Sequence, residues 1–207
     1  IEFLKKQIEA VLDDIKFDAI KIGMLSNADI IECVADILKK KAKNIPVILD
    51  TVMVATSGDL LLEANAIESL KSRLIKGSYL ITPNIDEAEV LAKMKIKNLA
   101  DMKKAALILK DLGAKNILIK GGHLNLKDQK IHNILLDEES NFHIISNNKI
   151  NKKNFHGTGC TLSCAIACNI AKKIPLKKAV QKANQYVYLA IKKHLKIGKG
   201  SLVLQHF

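Results

Sequence analysis

Four short runs in this chain are apolar almost without interruption, and helical periods separate them. FDAIKIG (17–23), PVILDTVM (46–53), SYLITPN (78–84) and NILIKGG (116–122) have the continuous Val, Ile and Leu content of strands covered on both faces. Helical stretches lie near 27–43, 61–75, 85–94 and 99–112, the last one opened by Asn98 or Asp101 and closed by Gly113. Strands hidden on both sides need helices on both sides. The pattern therefore predicts an α/β sandwich with a mainly parallel sheet. KIHNILLD (130–137) and NFHIIS (141–146), separated by EES, predict an antiparallel hairpin. Two further helices are expected near 158–173 and 176–196, with Pro175 at the first turn of the second. No repeat or low-complexity linker divides the chain, so residues 1–207 read as one domain.

In open α/β sheets, ligands bind beyond the carboxyl ends of the strands. Those ends carry Gly23-Met24, Asp50 through Met53, Thr82-Pro83-Asn84 and Lys120-Gly121-Gly122-His123. Glycines and polar side chains thus gather where chemistry is expected.

Charge narrows the partners. The chain carries a net +12, and residues 140–207 hold twelve lysines and no Asp or Glu. A one-signed region attracts anions such as nucleic acid or a nucleotide's phosphates, although a solvated lysine surface accounts for it as well. With no Trp, three Tyr and a single arginine (Arg73), the chain lacks the stacking platforms and guanidinium forks of nucleic-acid binders, so no nucleic-acid partner is expected. No apolar run reaches the length of a membrane span. The cysteines Cys33, Cys160, Cys164 and Cys168 form no CxxC pair, which argues against structural zinc and for reduced thiols in a cytoplasmic protein.

Four motifs carry candidate chemistry. In HGTGC (156–160), Gly157 and Gly159 allow successive N–H groups to converge on one point, and the helix that follows adds its positive end. That corner suits a transferring phosphoryl group, and Cys160 beside it suits a base; a tight turn with a packing cysteine is the plain alternative. Cys164 and Cys168 read as buried, inert thiols farther along the helix. In TPNIDEAEVL (82–91), Asn84 caps a helix with Asp86 and Glu87 in its first turn; Asn84 and Glu87 also present oxygens suited to a magnesium ion carrying phosphates. In ILIKGGH (117–123), Lys120 leans over phosphates or is merely solvated, and Gly121-Gly122 clear the space or merely turn. In LDTVMVATSGD (49–59), Asp50 ends an apolar strand, where a buried carboxylate needs a metal or a donor.

Together and in this order, KIGML, DTVMVATSGD, TPNIDEAEVL, IKGGH, HGTGCTLS and the closing IGKG resemble the hydroxymethylpyrimidine and hydroxymethylpyrimidine-phosphate kinases of thiamine biosynthesis, within the ribokinase-like fold. The resemblance runs from about residue 7 to the end, and HGTGCTLS is its most specific element. It implies a three-layer α/β/α sandwich and ATP-dependent phosphorylation of 4-amino-5-hydroxymethyl-2-methylpyrimidine and of its monophosphate. It also assigns roles. Cys160 takes the place of the base that activates the substrate hydroxyl, where sugar kinases of the superfamily have aspartate. Gly157, Thr158 and Gly159 match the anion hole, and Lys120, with Gly121 and Gly122, matches the phosphate-facing lysine segment. Asp50, Asn84 and Glu87 match the surroundings of Mg2+ and its waters, and Met24 and Val52 match the pyrimidine pocket.

The chain departs from the family in places. Thr51 stands where a proline is usual, Phe155 where a small polar residue is usual, and SLVLQHF replaces a GP-containing ending. Family members carry further residues, including the first strands, before the point where this chain begins. The expectation is an N-terminally incomplete domain whose opening helix, with Ile1, Leu4, Ile8, Val11, Leu12 and Ile15 in a stripe, seeks a neighbour. A homodimer or other self-association follows. Two other functions fit the same residues: a pyridoxine or pyridoxal kinase with the same GTGC corner, and a non-catalytic nucleotide-binding remnant.

Overall fold

A computed structural model of the chain describes residues 1–53, 62–122, 124, 129–151 and 155–206. Residues 54–59 of the aspartate motif, Leu61 at the expected start of a helix, His123 of the IKGGH motif and Asn154 lie outside the described residues.

The chain begins with α1 (Glu2–Asp14), β1 (Ile20–Ile22), α2 (Ala28–Lys41) and β2 (Val47–Leu49). Helix α3 (Ala64–Ser69) runs on into a π-helical segment, Leu70–Ile75, before β3 (Leu80–Ile81), α4 (Ile85–Ala92), α5 (Leu99–Asp111) and β4 (Asn116–Ile119). The hairpin β5 (Lys130–Leu136) and β6 (Phe142–Asn148) follows, then β7 (Phe155–His156), α6 (Thr158–Ala171), α7 (Leu176–Lys192) and β8 (Leu202–Val203). The six-stranded sheet runs in the order β1-β2-β3-β4-β5-β6. Strands β1 to β4 pair in parallel, while β5 and β6 join antiparallel. The two-residue β7 and β8 form a separate parallel pair.

Asparagines set three of the helix starts. Asn27, Asn84 and Asn98 each accept a backbone N–H of the first turn through the side chain, meeting donors that the helix itself leaves unpaired. At Asn84 the arrangement is reciprocal, because the Glu87 carboxylate reaches back to the Asn84 N–H.

Alternation along the strands divides the sheet between two cores. Leu49, Ile81, Ile117 and Ile119 face the layer built by α2 to α5. Their neighbours Ile48, Leu80 and Leu118 face Leu162, Ile166, Val180 and Ala183 of α6 and α7. All seven strand residues are fully buried, each contributing about 1.5–3 kcal/mol by leaving water. The result is the α/β sandwich with a mainly parallel sheet expected from the apolar runs, in the three-layer α/β/α form that the family resemblance implies. The opening helix lies on its rim: Leu4 and Ile8 pack against the first core, while Ile1, Val11 and Ile15 remain exposed. Among the described residues, no helix is long and apolar enough to cross a membrane.

Candidate active site

The strands are shorter than the apolar runs that predicted them, and the released residues form the site. Backbone hydrogen bonds continue past β1, β2 and β3: Asp50 N–H donates to Ile22, and Thr82 N–H to Leu49. Lys120 N–H donates to Pro83, and Asn84 and Lys120 form an isolated parallel bridge. These bonds bring Asp50, Thr82, Asn84 and Lys120 to one rim of the sheet. Val52 N–H then turns back to the Asp50 carbonyl, which takes the chain out of the sheet one residue after β2.

Asp50 is buried, and both its carboxylate oxygens are engaged. Oδ1 receives Lys120 Nζ at 2.9 Å and Thr82 Oγ1 at 3.1 Å, and Oδ2 receives Ser163 Oγ at 3.2 Å. Burial alone pushes the carboxyl up. The charge and hydrogen bond of Lys120, the charge of Lys21 and the Thr82 hydroxyl outweigh it, so Asp50 is held below the usual carboxylate range. Glu87 is also buried, with Oε2 accepting from Asn84 N–H at 2.8 Å and from Thr51 Oγ1 at 3.2 Å. Here burial prevails over Lys120 and the Asn84 N–H, and the Asp50 charge adds to it, so this carboxyl is pushed up. Two adjacent carboxyls are thereby driven in opposite directions. Thr51, which stands where the resembling family has proline, supplies a hydroxyl that proline lacks.

The third component is the start of α6. Its N-cap, Gly157, has φ 82°, a left-handed conformation that favours glycine, and having no side chain it makes no capping hydrogen bond to the first-turn N–H groups. Gly159, in that turn, lies directly over the ion pair. A methyl group there would sit 3.2 Å from Lys120 Nζ and 4.0 Å from Asp50 Oδ2. The positive end of α6, the Lys120 ammonium and the Asp50 carboxylate are thus in contact, with Cys160 exposed on the next residue.

Other motif residues fall out unevenly. Gly121 packs against β5: a methyl group would lie 2.0 Å from the His132 carbonyl oxygen, and its N–H donates to Asn133 Oδ1 at 3.0 Å. That N–H is therefore turned into the protein, whereas a methyl group at Gly122 would meet nothing within 4 Å among the described residues. Met24 is half-exposed beyond β1, and Val52 is partly buried after β2. Cys164 and Cys168 are exposed, contrary to the expectation of buried thiols. Helix α6 buries Leu162, Ser163, Ile166 and Ala167, and residues two positions from Leu162 and Ile166 fall on the opposite side of a 3.6-residue turn. Sequence reasoning left Lys21, Thr82 and Ser163 without roles. Lys21 carried a signal as a lone charge in an apolar strand, and the other two stand inside quoted motifs.

Among the described residues, no group of three or more His, Cys, Asp or Glu side chains is placed to hold a metal ion. Asp50 and Glu87 offer two carboxylates, a set suited to a hard cation that keeps most of its water and shares phosphate oxygens. A groove of about 380 Å³ between α1 and α2, lined by Lys5, Glu9, Glu32, Asp36 and Lys40 among others, holds none of the motif residues. Arg73 pairs with Glu32 and Asp36 beside it.

Comparison with known proteins follows the same lines. The family model described as phosphomethylpyrimidine kinase matches residues 1–205. The hydroxymethylpyrimidine/phosphomethylpyrimidine kinase of Bacillus subtilis is 43% identical over 207 residues, covering 100% of this chain and 75% of that protein. The crystal structure of a phosphomethylpyrimidine kinase from Clostridium difficile is similar with a TM-score of 0.79 at 38% identity, over 92% of this chain and 76% of the other. A pyridoxal kinase of Bacillus subtilis, solved as an ADP complex, is similar with a TM-score of 0.90 at 32% identity, over 99% and 76%.

Proposed function

We propose, since the chain belongs to the phosphomethylpyrimidine kinase family, that it transfers the γ-phosphoryl group of ATP to 4-amino-5-hydroxymethyl-2-methylpyrimidine, and then to the monophosphate so formed, in thiamine diphosphate biosynthesis. The chain is a phosphotransferase of ribokinase-like fold. The observation that carries the reading is the contact of the α6 N-terminus, through Gly159, with the Asp50–Lys120 pair, with Cys160 one residue further on.

In this mechanism Cys160 takes the proton of the substrate hydroxymethyl group, and the freed oxygen attacks the γ-phosphorus. The bond from that phosphorus to the β,γ-bridging oxygen breaks, and ADP leaves. The N–H groups of the N-cap Gly157 and of Thr158 and Gly159, with the positive end of α6, stabilise the charge spread over the transferring group. Asp50 takes one of the three Lys120 ammonium donors among the described residues, and the others serve phosphate oxygens. Gly122 keeps the approach to that lysine open, while Gly121 holds it by packing on β5. Asp50, Glu87 and the Asn84 side chain would hold Mg2+ through its water shell, and the ion would supply neutralisation of the phosphate charge. Met24 and Val52 would line the pyrimidine.

The high structural similarity to a pyridoxal kinase supports a second reading, in which the hydroxymethyl group belongs to a pyridine ring. Coupled assays of ADP release with each alcohol at equal enzyme concentration separate the two. A kcat/KM for the pyrimidine at least tenfold above that for pyridoxal is expected; the reverse order would transfer the assignment to pyridoxal. No ADP release with either would remove the kinase reading.

A further inference from the structure

The Ser163 hydroxyl is fully buried in the second turn of α6, four residues after Gly159 and three after Cys160. A helical serine commonly donates to the carbonyl three or four residues back. Ser163 Oγ does lie 3.0 Å from the Cys160 carbonyl and 3.2 Å from that of Gly159. It also lies 3.2 Å from Oδ2 of Asp50, the residue that follows β2 and stands 113 residues away in sequence. A hydroxyl has a single proton to donate, and a carboxylate competes for it with full charge. At 3.2 Å the bond is long, so its effect is on orientation more than on energy.

From this convergence we infer that Ser163 is a positioning residue for phosphoryl transfer, joining the helix that carries the thiol and the anion-binding turn to the carboxylate that holds Lys120. The inference rests on the kinase reading. Residues 159 and 163 share one face of α6, and they act in opposite senses. Gly159 lets the helix approach Lys120 until the backbone is in contact, and Ser163 draws the same face onto Asp50. Asp50 is then held from two sides: Lys120 and Thr82 fix Oδ1, and Ser163 fixes Oδ2. Without the hydroxyl, the carboxylate is held at Oδ1 alone and the first turn of α6 loses its tie to Oδ2.

The test is a double-mutant cycle of Ser163→Ala and Asp50→Asn, followed by steady-state kinetics and urea unfolding. Ser163→Ala is expected to lower kcat about tenfold to a hundredfold with both KM values within about twofold, the pattern of lost alignment. Ser163→Cys, which keeps the size and a weak donor, is expected to fall between alanine and the parent. In the Asp50→Asn background, Ser163→Ala should cost less than about twofold more. A kcat within twofold of the parent, or the same fractional loss in both backgrounds, would overturn the inference. The two readings fail separately. Absent turnover on either alcohol removes the kinase reading, while strictly additive shifts of the urea midpoint remove the Ser163–Asp50 link whatever the turnover.

Discussion

Replacing Lys120 by methionine isolates what the ion pair contributes. The ammonium lies 2.9 Å from Asp50 Oδ1, and the side chains are only 14% and 1% exposed. At an effective dielectric constant of about 20, the attraction at that distance is about 6 kcal/mol, much of it offset by the cost of desolvating both groups. Removing one partner alone leaves that desolvation unrequited for Asp50. Such losses run to about 3–5 kcal/mol, a large share of the total stability of an ordinary domain. Urea unfolding of the single variant should show this fall. The double variant Asp50→Asn/Lys120→Met, with neither member of the pair charged, should recover most of it.

The pH dependence of the same experiment has a definite sign. In the parent, Asp50 is held below the usual carboxylate range despite burial, so its contribution is present above about pH 4, the unfolded value, and is lost as pH falls through the folded one. In Lys120→Met, burial is opposed by the charge of Lys21 and the hydroxyls of Thr82 and Ser163 without the ammonium, and the carboxyl is expected to rise. A raised carboxyl favours folding below the unfolded value and disfavours it as pH climbs. The gap between parent and variant should therefore narrow from pH 8 to pH 5. A single variant within about 1 kcal/mol of the parent at pH 8, or a double variant no more stable than the single, would refute the argument that this pair neutralises a buried charge.

Other substitutions probe the remaining parts. Cys160→Ser should lower kcat by about 10²–10⁴-fold, the usual contribution of a general base, while Cys164→Ser and Cys168→Ser, both exposed, should stay within about twofold; equal rates for all three would take Cys160 out of the mechanism. Gly121→Ala, whose methyl group would meet the His132 carbonyl oxygen, should destabilise the fold by about 1–3 kcal/mol or more in urea, whereas Gly122→Ala should not. Chelation of divalent cations should abolish ADP release and restored Mg2+ should recover it, and turnover unaffected by chelation would remove the metal from the site.

How far the sequence could be read depended on the range of each interaction. The six main strands and the helices were legible because burial on two faces imposes a continuous apolar run, and Asn27, Asn84 and Asn98 mark helix starts locally. The strand ends were overestimated for the same reason. Asp50 to Met53 are buried or partly buried like a strand, yet Val52 has already turned back onto Asp50. The pairing of β7 with β8 joins Phe155 to Leu202, and two-residue strands that far apart leave no periodic trace. The face of α6 was misjudged because Thr158–Ala171 is apolar on nearly every side, so spacing alone did not tell the cysteine side from the Leu162–Ile166 side. The need for glycine at 121 comes from β5, and the place of Ser163 comes from Asp50, just after β2; neither neighbour is visible locally.

The distribution of charge acquires a meaning from this geometry. Residues 140–207 carry no Asp or Glu, and they supply the whole of α6, with Cys160 in its first turn and glycine at its N-cap. Both buried carboxylates at the site come from earlier in the chain, Asp50 after β2 and Glu87 in α4. Phosphates entering the proposed site thus meet repulsion from one side only, and there Lys120 and Lys21 already oppose it. An acidic residue introduced on the α6 side would add a second repulsive field where none is compensated. The absence of acids from the last third leaves that side without repulsion toward the phosphates of the proposed reaction, and the surplus of lysines on its surface reinforces the same field over a range that salt shortens to about 10 Å at 0.1 M.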